Sequence, residues 1–498
     1  MGGKTPREWG AVAALIGAGC MCASGQTESS GPAGYSIATP RPINPAEGTT
    51  NPSAVATQRQ NPYLGSVPAK ATNGTVEISL QDAIDRGLRY NLGLVESNLA
   101  SADVRASRLR ALSALLPQVS AHGQQAFEDI SFKEIGLKLP PIPGLPSLPP
   151  TSGAFGYEDA RIGVAQSLYN RELRERYRAQ TSNELASKLS VKDSRDVVVL
   201  AIGAAYLQVI ASAARVETAK AQVVAAQELD RLTAHRVTSE VSPEIDSLRA
   251  QVQRQSAEQR LTNVANQWEK DKLALARIAG LPIEQKFELT DRLTDRQHPA
   301  IALESATEEA LRSRADLASA EASIKAAESA VRAEKAQRLP VVSVSADYGG
   351  AGINPGNYNQ VYSVAGNISV PIYTGGRIRA DISLARSELA RRQAEYADLK
   401  GRIGYDVRVA WLDVSASASS VKVAESNRML AEKALGESRD RYTNGVTNYL
   451  EVVQAQEVVA EANENRIQSL YSFNVAMVFL ARAMGNADTR LQQLLEGK

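Results

Sequence analysis

From residue 78 onward the chain carries one pattern twice, and this duplication limits its possible folds more than any other feature. A stretch of helical period over residues 80–116 ends at Leu116-Pro117, and its mate over 306–339 ends at Leu339-Pro340. After each Leu-Pro the apolar period changes from helical to two. In LPVVSVSADY, Val342, Val344, Ala346 and Tyr348 alternate with Ser343, Ser345 and Asp347. In VYSVAGNISVPIY, Tyr362, Val364, Ile368, Val370 and Ile372 alternate with Ser363, Asn367 and Ser369. The first half does the same in YEDARIGVAQSLY, where Ala160, Ile162, Val164 and Leu168 alternate with Asp159, Arg161 and Ser167. The strand after Pro117 has the weakest alternation, with Val119, Ala121 and Phe127 on its apolar side. Strands are therefore expected at about 117–127, 157–169, 340–348 and 361–373.

A long helix follows each pair of strands, at about 172–235 and 377–441. Neither contains proline, and about 64 residues at a 1.5 Å rise make roughly 95 Å of helix. AAYLQVIA (204–211) and VAWLDVSA (409–416) correspond inside these helices at an offset of 205 residues. The helices break at the same offset, in HRVTSEVSPEIDSLRAQ (235–251) and RYTNGVTNYLEVVQAQ (441–456). Shorter returning helices end near Gly280 and Gly485, residues suited to a helix stop. The breaks read as helical hairpin turns, or tips, at 236–243 and 442–448, at the end of the helices remote from the strands. Asn444-Gly445 supplies the positive-φ positions of a tight turn. In the other tip Ser242 can cap the returning helix, with Pro243 at its first position.

Strands of ten to twelve residues, apolar on one face and polar on the other, fit a transmembrane barrel. They fit a half-exposed soluble sheet equally well. Four strands cannot close a membrane barrel, but several copies of the chain could, and closure would remove the exposed edges. The first hairpin loop, 128–156, contains the stiff LPPIPGLPSLPP; the second, GGAGINPGN, is short. No later segment offers about eighteen consecutive apolar residues, so no membrane-crossing helix is expected.

Composition supports thin helix-on-helix packing: 43% of residues are hydrophobic but only 5% aromatic. A net charge of +1 gives no case for nucleic acid. His122, His235 and His298 are far apart and the two cysteines sit near the N-terminus, so no metal site or cofactor is expected. P-loop, G-x-S-x-G, H-E-x-x-H and dinucleotide motifs are all missing, and no enzyme is expected.

Residues 1–25 read as a secretory signal: Lys4 and Arg7 precede the apolar AVAALIGAG. GAGC resembles a lipobox ending on Cys20, the candidate lipidation site, although Gly17 stands where leucine is usual. Cleavage before Gln26 is the other reading. Residues 26–77, rich in Ser, Thr, Pro and Asn, are expected as an extended or disordered lead-in. The repeats then occupy 78–297 and 298–498.

These features resemble the TolC-like outer-membrane efflux protein family. The resemblance rests on RYTNGVTNYLEVVQAQ, on the strand-to-helix junction VPIYTGGRIRA (370–380), on the Leu-Pro junctions and on the duplicated layout. It implies an α+β membrane protein, a homotrimer in which each chain gives four strands to a shared β-barrel and long helices to a periplasmic α-helical barrel. The implied function is a passive exit duct in the outer membrane, serving an inner-membrane pump and a periplasmic adaptor. Its tips would be the gate. Glu451 matches a family carboxylate at the tunnel mouth, Asp246 is its counterpart in the first half, and Gln454 stands where the family often has a second Asp. Arg441 and Tyr442 would tie neighbouring tips together. A plainer reading makes Glu451 a solvated carboxylate favoured by its helix dipole, and Arg441 a cation satisfying the last carbonyls. The alternative for the whole chain is an exported, lipid-anchored coiled-coil scaffold or adaptor.

Overall fold

The computed structural model describes residues 61–71, 74–131, 150–240, 243–292, 302–353, 358–485 and 487–488. The leader with Cys20, most of the lead-in, the centre of the Pro-rich loop and Ser242 lie outside these residues. Eight helices are described: α1 (Leu80–Tyr90), α2 (Leu92–Ser113), α3 (Arg171–Thr238), α4 (Glu244–Ala279), α5 (Leu303–Ser313), α6 (Ala315–Ala336), α7 (Arg377–Thr443) and α8 (Tyr449–Met484). Six strands accompany them: β1 (Val76–Ile78), β2 (Gln118–Glu128), β3 (Phe155–Tyr169), β4 (Phe287–Leu289), β5 (Val341–Ile353) and β6 (Tyr358–Ser369).

The four long strands form one antiparallel sheet in the order β2-β3-β5-β6. Register brings the alternation into line across it: Val119 faces Val164, Val164 faces Ala346, and Ala346 faces Val364. Ile162, Tyr348 and Tyr362 form the next row. Because the side-chain period is two, these rows share one face. Val119, Ile162, Tyr348, Tyr362, Val364 and Ile368 are all exposed on it. β6 stops at Ser369, short of the expected 373, and β5 runs on to Ile353. The alternating apolar letters up to Tyr373 continue the period but have no partner strand.

Each strand continues a helix in the same lateral order. Near the sheet the helices pack α2-α3-α6-α7; toward the tips they pack α4-α3-α8-α7. One flank therefore consists of β2, α2 and α4, and the opposite flank of β6 and α7. An eighteen-residue window within α3 is long and apolar enough to cross a membrane, contrary to expectation. More than half of it is buried. Val198, Val199, Ile202, Tyr206 and Leu207 pack there against Ile78, Ile84, Leu275 and Phe287. Its apolar character is that of a central helix.

The helices before each Leu-Pro are not continuous. The first breaks at Asn91 (φ −63°, ψ 129°) and the second at Arg314 (φ −66°, ψ 124°). Neither break residue is proline or glycine, so the helical period runs through both unmarked. Asn91 is fully buried; its side-chain oxygen accepts from Gly93 N–H (3.0 Å) and its amide donates to the Tyr63 carbonyl (2.7 Å). Arg314 is 6% exposed and holds Asp316 (2.6 Å) and Asp406 (3.2 Å). α1 lies so close to α3 that a Cβ on Gly87 would stand 1.8 Å from Ile202 Cδ1. A larger residue there would have to displace the tip of the Ile202 side chain.

The end of the lead-in is ordered, against the expectation for 26–77. Tyr63 lies over Gly93, with its hydroxyl 3.1 Å from Ser194 Oγ, and β1 pairs in parallel with β4. Tyr63, Leu64, Val76 and Ile78 fill gaps in the core one at a time, with no period to reveal them.

Candidate functional site

The α3–α4 and α7–α8 turns lie side by side. In the second, Gly445 takes φ 72° as the left-handed residue closing α7, whereas Asn444, expected to share a positive φ, stays at −82°. Val446 N–H donates to the Arg441 carbonyl (2.8 Å) and Gly445 N–H to that of Tyr442 (3.1 Å). Asn448 then caps α8, accepting from Glu451 N–H at 3.2 Å. In the first, the residue 205 positions earlier is Glu240, which takes φ 57° without glycine's freedom. Glu240 N–H donates to the Val237 carbonyl at 2.9 Å, as Gly445 does to Tyr442. The duplication therefore extends to backbone conformation, although the residue type does not match. Pro243 is the N-cap of α4, one position earlier than expected, because its ψ of 152° is still extended.

A small core ties the two turns together. Tyr442 and Tyr449 are 4% and 3% exposed and meet edge to face, with ring centroids 6.5 Å apart. They pack with Leu229, Ala250 and Val452. The Arg236 guanidinium lies 4.6 Å from the Tyr442 ring centre and donates to the Tyr442 carbonyl at 2.9 Å. Burial pushes the Tyr449 hydroxyl up to about 12, with Tyr442 and Asp246 adding to the effect. An open cavity of about 480 Å³ separates the turns, lined by His235, Arg236, Ser239, Thr443 and Asn444 among others.

The structure pairs Arg441 with Glu451, Nη1 to Oε1 at 3.5 Å, and Thr447 Oγ1 hydrogen-bonds the other carboxylate oxygen. Asp246 sits in the first turn of α4, 3.8 Å from Arg249. Gln454 is exposed on α8. Tyr442 meets the adjacent tip of its own chain. Its partner there is Arg236, a contact that sequence reasoning missed. HRVTSEV did carry the signal: a cation in the last turn beside a break that pairs with RYTNG.

At the other end the sheet leaves its two edge strands, β2 and β6, each with one unpaired side. Its second face carries Arg161 between Asp159 (2.8 Å) and Asp347 (3.0 Å). The sheet is thus apolar on one exposed face and ionic on the other, as in a barrel wall between lipid and a wet interior.

Residues 306–486 match the family model described as outer membrane efflux protein. That match covers most of the second repeat. Among relatives, the pyoverdine export outer membrane protein OpmQ of Pseudomonas putida is 24% identical over 312 residues, 60% of this chain and 64% of that protein. The alkaline protease secretion protein AprF of Pseudomonas aeruginosa is 22% identical over 339 residues, 66% of this chain and 70% of that protein. The match to the OpmQ proteins spans a little under two thirds of their own length. Among solved structures, the outer membrane protein VceC of Vibrio cholerae superposes with a TM-score of 0.69 at 19% identity, covering 82% of this chain and 96% of that one. The Campylobacter jejuni CmeC outer membrane channel gives 0.70 at 16%, covering 85% and 91%. The fold of this chain is that of these outer-membrane channels.

Proposed function

We propose that three copies of this chain form a passive exit duct across the outer membrane. One observation carries the reading most. The unpaired edges β2 and β6 lie on opposite flanks, continuous with helices whose outward apolar residues also lack partners in one chain. On one flank these are Leu99 and Leu109 of α2 with Leu248 and Val252 of α4. On the other they are Leu384, Leu412, Val423 and Leu430 of α7. Joining β6 of one copy to β2 of the next, and α7 to α2 and α4, would cover both sets at once. Three copies give twelve strands, an even number within the range of membrane barrels.

In this duct the tips form the gate. Glu451 and Asp246 face the tunnel mouth, each beside an arginine, and Arg236 holds the two tips of one chain together through Tyr442. A periplasmic adaptor docks at the tips and an inner-membrane pump supplies the energy. The relatives' names span pyoverdine export and protease secretion. A tunnel wide enough for either is consistent with walls built mainly of small and medium side chains.

Electron microscopy of the detergent-extracted protein tests the reading. The expected particle has three-fold symmetry and measures roughly 120–140 Å, from about 100 Å of helix plus a barrel of about 25 Å. A monomer that stays soluble without detergent would overturn it.

A further inference from the structure

The junction between sheet and helices carries a feature that a duct does not require. After β6 the chain crosses Val370–Tyr373 and turns into α7 through two left-handed glycines, Gly375 (φ 60°) and Gly376 (φ 90°). Ile372 and Tyr373 are 95% and 89% exposed, more than any other large apolar residue among the described ones. They lie just beyond Ser369, the last paired residue of β6, and so at the helix-side rim of the sheet.

Beside this apolar step stand exposed arginines on the helix ends that face the sheet: Arg171 and Arg174 on α3, Arg338 just after α6, and Arg379 on α7. None has a carboxylate partner among the described residues. The nearby acids are already engaged, Glu172 by Arg176 at 2.8 Å and Asp381 by Arg377 at 3.1 Å. Three of these four arginines lie in the first turn of a helix, where the macrodipole is positive and a cation is disfavoured. α7 has no acidic residue in its first turn. The start of α3 has one acid, Glu172, against two of these arginines, and the start of α7 has none, so a compensating anion outside the chain would suit both.

Resting on the outer-membrane reading above, we propose that this rim binds anionic phospholipid headgroups of the leaflet on the helix side. Ile372 and Tyr373 enter the acyl boundary, and Arg171, Arg174, Arg338 and Arg379 meet the phosphates. The position fits, because an aromatic residue with an apolar neighbour at the end of a membrane strand marks the headgroup level. The charge fits as well, since basic residues within a Debye length of an anionic surface are attracted to it.

The test uses the full chain in nanodiscs of phosphatidylglycerol or of phosphatidylcholine. The apparent Tm should be several degrees higher in phosphatidylglycerol, and the difference should shrink between 50 mM and 500 mM salt. From an equimolar mixture, retained lipid should be enriched roughly five-fold in phosphatidylglycerol. The triple variant R171Q/R174Q/R379Q should lose most of that enrichment while matching or exceeding the wild-type Tm in phosphatidylcholine, because its helix starts are relieved of repulsion. Equal behaviour of the wild type in the two lipids would overturn the proposal. So would a triple variant that keeps the enrichment but changes the channel's ion selectivity, which would put the arginines on the tunnel wall. A wild-type chain that enters neither nanodisc would instead remove the outer-membrane reading on which the proposal rests.

Discussion

At the scale of single residues, the two tips make a matched experiment that the chain performs on itself. Gly445 and Glu240 occupy equivalent positions with φ 72° and 57°, and a side chain in that region costs on the order of 1 kcal/mol. Gly445→Ala should therefore loosen the second tip and Glu240→Gly should tighten the first, each by about 1 kcal/mol. Limited proteolysis of the native protein reads this locally: cleavage near 441–449 should rise in the first variant, and cleavage near 236–243 should fall in the second. Equal cleavage in all three proteins would mean the turns are held by their neighbours and not by their own backbone. Glu451 permits a sharper question. Its carboxylate has Arg441 at 3.5 Å and Thr447 within hydrogen-bond reach, so Glu451→Gln keeps an acceptor for Thr447 and removes one negative charge per chain. Three such charges at a tunnel mouth favour cations. The variant should show a reversal potential shifted away from cation preference in planar bilayers under a salt gradient. An unchanged potential would leave Glu451 as a helix-dipole partner only.

At the scale of elements, what could be read from the sequence divides by cause. Strands and long helices announced themselves through period, and the tips through the 205-residue offset. The breaks at Asn91 and Arg314 did not, because each is maintained by a buried side chain making contacts distant in sequence, with Tyr63 in one case and Asp406 in the other. The tyrosine–arginine contact at the tips was hidden for the same reason. Tyr442 was readable as a tip residue, but not as one facing inward. Burial at the meeting of α3 with α8 has a testable electrostatic consequence. Asp196, on α3, accepts from Ala487 N–H at 2.9 Å, and burial, its largest influence, pushes its carboxyl above the usual range. A raised folded-state value means that the native state holds this proton more tightly than the unfolded chain does. The contribution is therefore favourable at low pH and is lost as pH rises through the folded value. Asp196→Asn retains an acceptor and never carries the charge. At a fixed scan rate its apparent Tm should exceed the wild type's at pH 8 and converge with it toward pH 4. A variant less stable than the wild type at pH 8 would show that Asp196 is held charged by Arg482 and Lys192.

At the scale of the whole molecule, the argument for three copies rests on geometry that chemical cross-linking can reach. Cys20 and Cys22 are the only cysteines, both near the N-terminus, so thiols introduced into the body are distinguishable from them. Leu109 lies near the sheet end of α2 and Leu384 near the sheet end of α7, each about 10 Å of helix from the strands. Within one chain α3 and α6 stand between them. Neighbouring helices pack 8–10 Å apart, so three steps separate the two positions by roughly 25–30 Å, beyond a spacer of about 10 Å. Between copies the same two flanks would be adjacent. The double variant Leu109→Cys, Leu384→Cys, treated with such a short bifunctional thiol reagent, should give dimer and trimer bands on a denaturing gel and nothing larger. Each single variant should stay monomeric. A product that remains monomeric in the double variant would mean the flanks do not meet, and a ladder beyond three would mean that they meet without closing. A closed ring of three would also join β6 to β2 three times. That closure satisfies the unpaired backbone groups of both edges, without which a four-stranded sheet could not remain in hydrocarbon.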